Sequence, residues 1–369
     1  MIPVYLLYIG YNVLEIGIFY TIINFINIVF TYLVGKLLDK IPANKALTLD
    51  ILLDGISCII LGFAKGVFFP FLFVISSVIQ NISSIFSPAY SVYAFESYPE
   101  EKREKIFVYH LAVPSVTQLI AFPIFGIIWG VLYPIPNAFR IGFFIFGVYF
   151  LLASVLPMKF LPLVRKKVAV KKEEVSFRVL IRKELRIIVL IEIVLLFAWG
   201  IIPQIVLTNY VITKLRGTLL HMTIIEVIYS IIIILTGIFI KDIGKKHSFS
   251  LLIGATFIMI VYAGLMTFAS TFSIILVAYG IMAFGDTIWH PYHQSLLFHY
   301  VPDERRGEFF GALESIKKTI GILFPLLAGL IAYKVHPLGN YAISVGFFLI
   351  VIFLYLYLKR LRTYIPQQP

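Results

Sequence analysis

Three residues near the end of one apolar run, 272–299, have the types and spacing to do chemistry. Asp286, His290 and His293 stand at i, i+4 and i+7, which places them on one face of a helix. Tyr279 lies one heptad earlier on that face. A carboxylate and two imidazoles in apolar surroundings can relay protons, bind a polar solute, or both. An ionisable group at membrane depth is costly, so it is a functional candidate by default. One Asp and two His could also supply three metal ligands. No second ligand cluster accompanies them and Cys58 is the one cysteine, so no metal is assigned. The plainer alternative is an Asp–His pair that ties this helix to a neighbour. Pro291 lies within the stripe and removes one backbone hydrogen bond, which spanning helices tolerate when buried in protein or facing water.

The elements that must carry this stripe follow from composition. The chain has 369 residues, 60% hydrophobic and only 14% charged, with mean hydropathy +0.96. Soluble domains carry about 25% charged residues. Eleven long apolar segments are legible, roughly 14–34, 46–64, 67–95, 106–133, 139–158, 187–212, 219–240, 248–269, 272–299, 308–333 and 341–358. Each is near the roughly 20 residues that a spanning helix needs. The alternating pattern of a membrane barrel is absent, so an all-α integral membrane protein is expected.

The net charge of +12 lies between the apolar segments; it marks topology and not a nucleic-acid partner. The connections at 35–45, 96–105, 159–186, 241–246 and 303–306, with the tail 359–362, hold 24 of the 31 Lys and Arg; the opposite connections hold five. The positive-inside rule then puts the rich set and the C-terminus in the cytoplasm of a multi-pass cell-membrane protein. The segment 272–299 enters from outside, which sets Asp286 ~20 Å deep at 1.5 Å per residue. The linker 159–186, with ten Lys and Arg and three Glu, reads as a solvated loop against anionic headgroups.

The chain also repeats. Pro99-Glu-Glu-Lys-Arg103 matches Pro302-Asp-Glu-Arg-Arg306, and Gly35 to Ile41 matches Gly237 to Ile243. The expected organisation is a bundle over 1–158, the linker 159–186 and a second bundle over 187–369. Parallel repeats of this kind are found in one class of secondary transporter. The second bundle opens with a full helix, whereas its counterpart keeps only residues 1–10. A truncated first helix is expected, or else an eleven-span protein with its N-terminus outside.

Other polar residues lie within apolar segments. Gln80 and Asn81 offer hydrogen bonds without charge; Glu192 and Gln204 lie on 187–212. They are expected to line the solute or proton pathway, although interhelical bonding is an equal alternative, and Glu192 could simply answer Arg182 or Arg186. Asp50 and Asp54, at i and i+4, read as packing groups. Glu226 is a further carboxylate in 219–240.

Three signals resemble the major facilitator superfamily. Gly35-x-x-x-Asp39-Lys40 followed by Lys45 is similar to the family's loop between helices 2 and 3. Gly237 to Lys246 is its partner loop. Pro302 to Gly307, then Gly311 and Phe324-Pro-Leu-Leu-Ala-Gly329, is similar to the junction of helices 10 and 11. The chain departs from the family pattern at Pro42 and Ala43, and in the inverted order of Lys241-Asp242. The resemblance implies two pseudo-symmetric six-helix bundles, here eleven full helices plus the truncated first. It implies a central cavity lined by helices 1, 4, 7 and 10, and alternating access by rocking of the halves. It also assigns a conformational switch to Gly35, Asp39, Lys40, Arg103, Gly237, Lys241, Asp242 and Arg306.

No metalloprotease, phosphate-loop or nucleophile-elbow motif is present, and no enzyme is expected. The expected function is secondary active transport of a small organic solute, coupled to protons through Asp286, His290 and His293, by a monomer in the lipid bilayer with no cofactor. The alternative is a transporter-like sensor or scaffold without flux.

Overall fold

The computed structural model describes residues 2–38, 41–86, 116–117, 119–124, 126–128, 137–161, 183–240, 248–300 and 306–364, and these are mostly helical, with no strand among them. Nine helices are long and apolar enough to cross a membrane among the described residues, from Asn44–Phe63 to Gly339–Leu361, and two shorter apolar helices are Val13–Ile28 and Leu119–Ile128. These eleven occupy the eleven apolar segments of the sequence. Large apolar side chains such as Phe71, Ile145, Leu152, Val277 and Phe353 are exposed, which hydrocarbon tolerates and water does not.

The chain divides into two compact units. One comprises Phe19–Pro114 and Ile128–Lys171, with most of α2 (Val13–Leu38), α3 (Ala43–Phe63), α4 (Phe69–Phe86), α5 (Ala138–Ala153) and α6 (Val155–Phe160). Here α3 packs on both α4 and α5. Gly55 and Gly147 permit the α3–α5 crossing: a Cβ on Gly147 would lie 2.5 Å from Ile59 and one on Gly55 would lie 3.1 Å from the Gly147 carbonyl. Small residues at helix crossings are the usual device where lipid supplies no hydrophobic drive. Between α3 and α4, the hydroxyls of Ser57 and Ser76 lie 3.0 Å apart, and Ser83 Oγ lies 2.6 Å from Asp50 Oδ1. The packing role expected of Asp50 agrees with that contact.

The other unit comprises Met1–Ile18, Ser115–Ile127 and Lys172–Pro369. It contains α1 (Ile2–Tyr8), α7 (Lys183–Gly200), α8 (Gln204–Asn209), α9 (Leu219–Ile240), α10 (Ser248–Thr267), α11 (Phe272–Tyr300), α12 (Arg306–Gly321), α13 (Phe324–Lys334) and α14 (Gly339–Tyr364). After α1 the chain turns at Gly10, φ +102°, a left-handed conformation that glycine adopts without strain. Asn12 then caps α2: its Oδ1 accepts from the amides of Leu14 and Glu15, and Glu15 Oε2 accepts from the Asn12 amide at 2.8 Å. This is a reciprocal capping box.

Two breaks shape this unit. Pro203 has no amide hydrogen, so α7 stops at Gly200 and restarts as α8. The second break separates α12 from α13, where Pro325 sits in the first turn. The breaks are tied together at the head of α14. The buried Asn340 Nδ2 donates to the carbonyls of Ile201 (2.7 Å) and Ala328 (3.1 Å), and Ser344 Oγ donates to Ala198 at 2.8 Å. Phe324 packs edge-on to Phe197 at 5.0 Å, and a Cβ on Gly200 would strike its ring at 2.5 Å. Non-helical backbone at membrane depth is stable only when protein or enclosed water meets its polar groups, and these side chains meet that need.

Candidate functional site

Four helices of the second unit bring their polar residues to one point. Glu192 lies on α7, whose other residues around it are Ile, Val and Leu. It is 7% exposed. Such a carboxylate is costly to bury without partners. Among the described residues it has two: Lys317 Nζ from α12 at 3.1 Å from Oε2, and His293 Nε2 from α11 on Oε1. On the far side of the imidazole, Nδ1 lies 2.7 Å from the hydroxyl of Tyr355, from α14. Trp289 precedes His293 by one turn, stacks on it with centroids 4.3 Å apart at 16°, and donates its indole N–H to Tyr355 at 3.2 Å. His293 and Tyr355 are fully buried, whereas the Lys317 side chain keeps 27% of its exposure. The network is buried at His293 and Tyr355 and partly open at the lysine.

A second polar patch lies elsewhere in the same unit. Tyr229 on α9 donates to Asp286 Oδ2 at 2.8 Å. Gln204, the first residue after the α7 break, donates to Glu226 Oε1 at 3.2 Å. Glu226 and Tyr229 are three apart on α9, hence neighbours on its surface. The patch therefore runs from the helix break through α9 to Asp286. It contains two carboxylates and an exposed amide. Tyr279 is held in an aromatic cluster, its ring 5.5 Å from Tyr262, which in turn meets Tyr341 at 5.9 Å.

The residues of the stripe on α11 thus meet different helices. Asp286 bonds to α9, His293 to α7 and α14, and His290 is exposed. Asp286 and His293 share a helical face but are separated by ~10 Å along the axis at 1.5 Å per residue, and different helices cover the two heights. Among the described residues, Glu192 is paired with His293 and Lys317. Gln80 and Asn81 lie on α4 in the other unit; Gln80 is exposed and Asn81 Nδ2 donates to the Ser77 carbonyl at 2.8 Å. Among the expected switch residues, Asp39, Lys40, Arg103, Lys241 and Asp242 lie outside the described residues; Gly35, Gly237 and Arg306 fall on α2, α9 and α12.

Sequence reasoning left Lys317, Tyr355, Trp289 and Tyr229 unassigned. Lys317 alone carried a signal, a cation inside an apolar segment. Among the described residues no group of three His, Cys, Asp or Glu side chains comes close enough to hold a metal ion.

The family model of the Major Facilitator Superfamily matches residues 1–223 and 197–369. No curated protein sequence matches the chain. Solved structures do. A bacterial homologue of the iron transporter ferroportin, in an inward-facing state, aligns with TM-score 0.72 at 16% identity, over 97% of this chain and 92% of that one. The nucleoside transporter NupG aligns with TM-score 0.64 at 12% identity, over 97% and 93%. The human organic anion transporter MFSD10 (TETRAN) gives 0.61 at 14%, over 93% and 84%. Such identities speak for the fold, and the three named cargoes differ from one another. Matched by the family model across its length and sharing its fold with solved transporters, this chain belongs to the major facilitator superfamily and is a multi-pass membrane transporter.

Proposed function

We propose that this transporter is a proton-coupled secondary carrier of a small organic solute, working by alternating access between bundles 1–158 and 187–369. The proton is carried by Glu192, His293 and Lys317, and the patch of Gln204, Glu226, Tyr229 and Asp286 faces the solute. The single observation that carries this reading is the buried Glu192 carboxylate held between a lysine and a histidine. With neutral His293 the three groups sum to zero charge. An added proton leaves one net positive charge, whether it neutralises Glu192 or makes His293 cationic. Charge out of water costs several kcal/mol per ion, so the protonated network favours a state in which Lys317 leaves the carboxylate or water enters. A ligand shifts a conformational equilibrium only by its differential affinity for the two states, and a proton that is tolerated in one state alone meets that condition.

The distribution of Lys and Arg supports a carrier in the cytoplasmic membrane with its C-terminus inside, working as a monomer.

The deciding experiment is flux. Purified protein in proteoliposomes, offered solutes first selected by thermal shift, is expected to accumulate or expel a solute when a pH gradient is imposed and to stop when a protonophore collapses it. Ligand binding with no flux under any gradient would instead make the protein a sensor.

A further inference from the structure

The histidine of the network has two sides, and the second is not explained by the ion pair. A carboxylate on Nε2 favours the imidazolium, because it stabilises the positive ring. On the opposite side the donors run the other way. An indole N–H is a donor only, and a phenol has one proton to give. Trp289 Nε1 donates to the Tyr355 oxygen at 3.2 Å, so that oxygen is already engaged as an acceptor. The Tyr355 proton then has Nδ1 of His293, 2.7 Å away, as its acceptor. A ring nitrogen that accepts is unprotonated. The chain of donation is Trp289 N–H to Tyr355 O–H to His293 Nδ1, then His293 Nε2–H to Glu192, with Lys317 donating to the other carboxylate oxygen.

We infer that Trp289 and Tyr355 are positioning residues which hold His293 in its neutral, Nε2-protonated form against the pull of Glu192. This rests on the proposed role of Glu192, His293 and Lys317. The stack of Trp289 on His293 fixes the ring plane, and the partners at its two nitrogens fix which edge faces Glu192. A doubly protonated ring would meet at Nδ1 a phenol oxygen already taken by Trp289, and would leave the phenol proton without an acceptor. Buried polar groups left without partners are costly. The groups that face the ring from the packed helices, among the described residues, are Glu192 from α7, Lys317 from α12 through Glu192, and Tyr355 from α14, with Trp289 on its own helix. The resting network is thereby kept electrically neutral, and the proton it takes up is one that has to displace the Tyr355 hydrogen bond.

The test uses the full chain in lipid with 15N-labelled histidine, the His293 signal being identified by its loss in His293→Gln. Wild type at neutral pH is expected to show neutral His293 protonated on Nε2. Tyr355→Phe removes the donor to Nδ1, and Trp289→Phe frees the phenol oxygen to accept from Nδ1–H; both keep an aromatic ring. Each is expected to raise the imidazolium-to-imidazole ratio of His293 about tenfold at fixed pH. A cationic His293 in wild type, a ring protonated on Nδ1, or ratios unchanged or lowered in both variants would overturn the inference. The readout needs no solute. A shift in these variants in a protein whose flux ignores pH would defeat the proton-coupled function alone, and proton-coupled flux with an unmoved His293 would defeat the inference alone.

Discussion

Glu192→Gln is expected to abolish accumulation driven by a pH gradient while leaving solute exchange between the two sides. The substitution keeps the shape of the side chain and removes its charge. Lys317 loses its 3.1 Å partner and His293 its strongest acceptor. Breaking a buried pair by removing one partner costs about 3–5 kcal/mol; here the lower end applies, because the lysine is 27% exposed and water can reach it. The folded bundle survives such a loss, but the carboxylate that could take the proton is gone, and a cationic His293 would stand with Lys317 without their shared counter-ion, so the network no longer takes up the proton. Uphill movement and counterflow are therefore expected to separate, with driven accumulation falling to the passive level and counterflow retained within about threefold. Accumulation at wild-type levels would remove Glu192 from the coupling step.

The second large effect is expected at Asp286. Asp286→Asn retains a hydrogen-bond acceptor for the Tyr229 hydroxyl and removes one of two carboxylates from the patch that reaches Gln204. If that patch faces the solute, half-saturation for transport rises tenfold or more while the requirement for a pH gradient persists. Glu226→Gln is expected to act in the same direction through Gln204, its partner at 3.2 Å. Loss of the pH requirement in Asp286→Asn, with affinity unchanged, would exchange the roles of the two sites. Flux against solute concentration, measured at two imposed gradients, reads both quantities.

Much of the fold could be read from the chain before any coordinate. The apolar segments at 46–64, 139–158, 219–240 and 248–269 reappear as Asn44–Phe63, Ala138–Phe160, Leu219–Ile238 and Phe249–Thr267, because twenty apolar residues in lipid have one economical conformation. The interruption at Pro203 was not expected, since 187–212 read as one full helix, whereas it stops at Gly200 and restarts at Gln204. The site was legible only in part. Periodicity gave the direction in which Asp286, His290 and His293 point, and it cannot say which helix stands opposite at each height. Glu192 was visible as a carboxylate, but His293 and Lys317 lie 101 and 125 residues further along the chain, whereas proximity in sequence drew attention to Arg182 and Arg186. Tyr355 and Trp289 carried no signal at all, since aromatic residues are common in spanning helices for reasons of packing and interface anchoring. Their importance arises from donor and acceptor direction, which exists only once the helices are placed.

The central claim is that Glu192, His293 and Lys317 form a network that changes its charge by one proton as the transporter changes state. A solute-free pH jump applied to proteoliposomes on a solid-supported membrane tests it most directly, because a proton entering the network displaces charge within the bilayer. Wild type is expected to give a transient charge displacement whose size titrates as a single step, and Glu192→Gln to give none. A transient of equal size from Glu192→Gln, or no pH-dependent transient from wild type, would contradict the account.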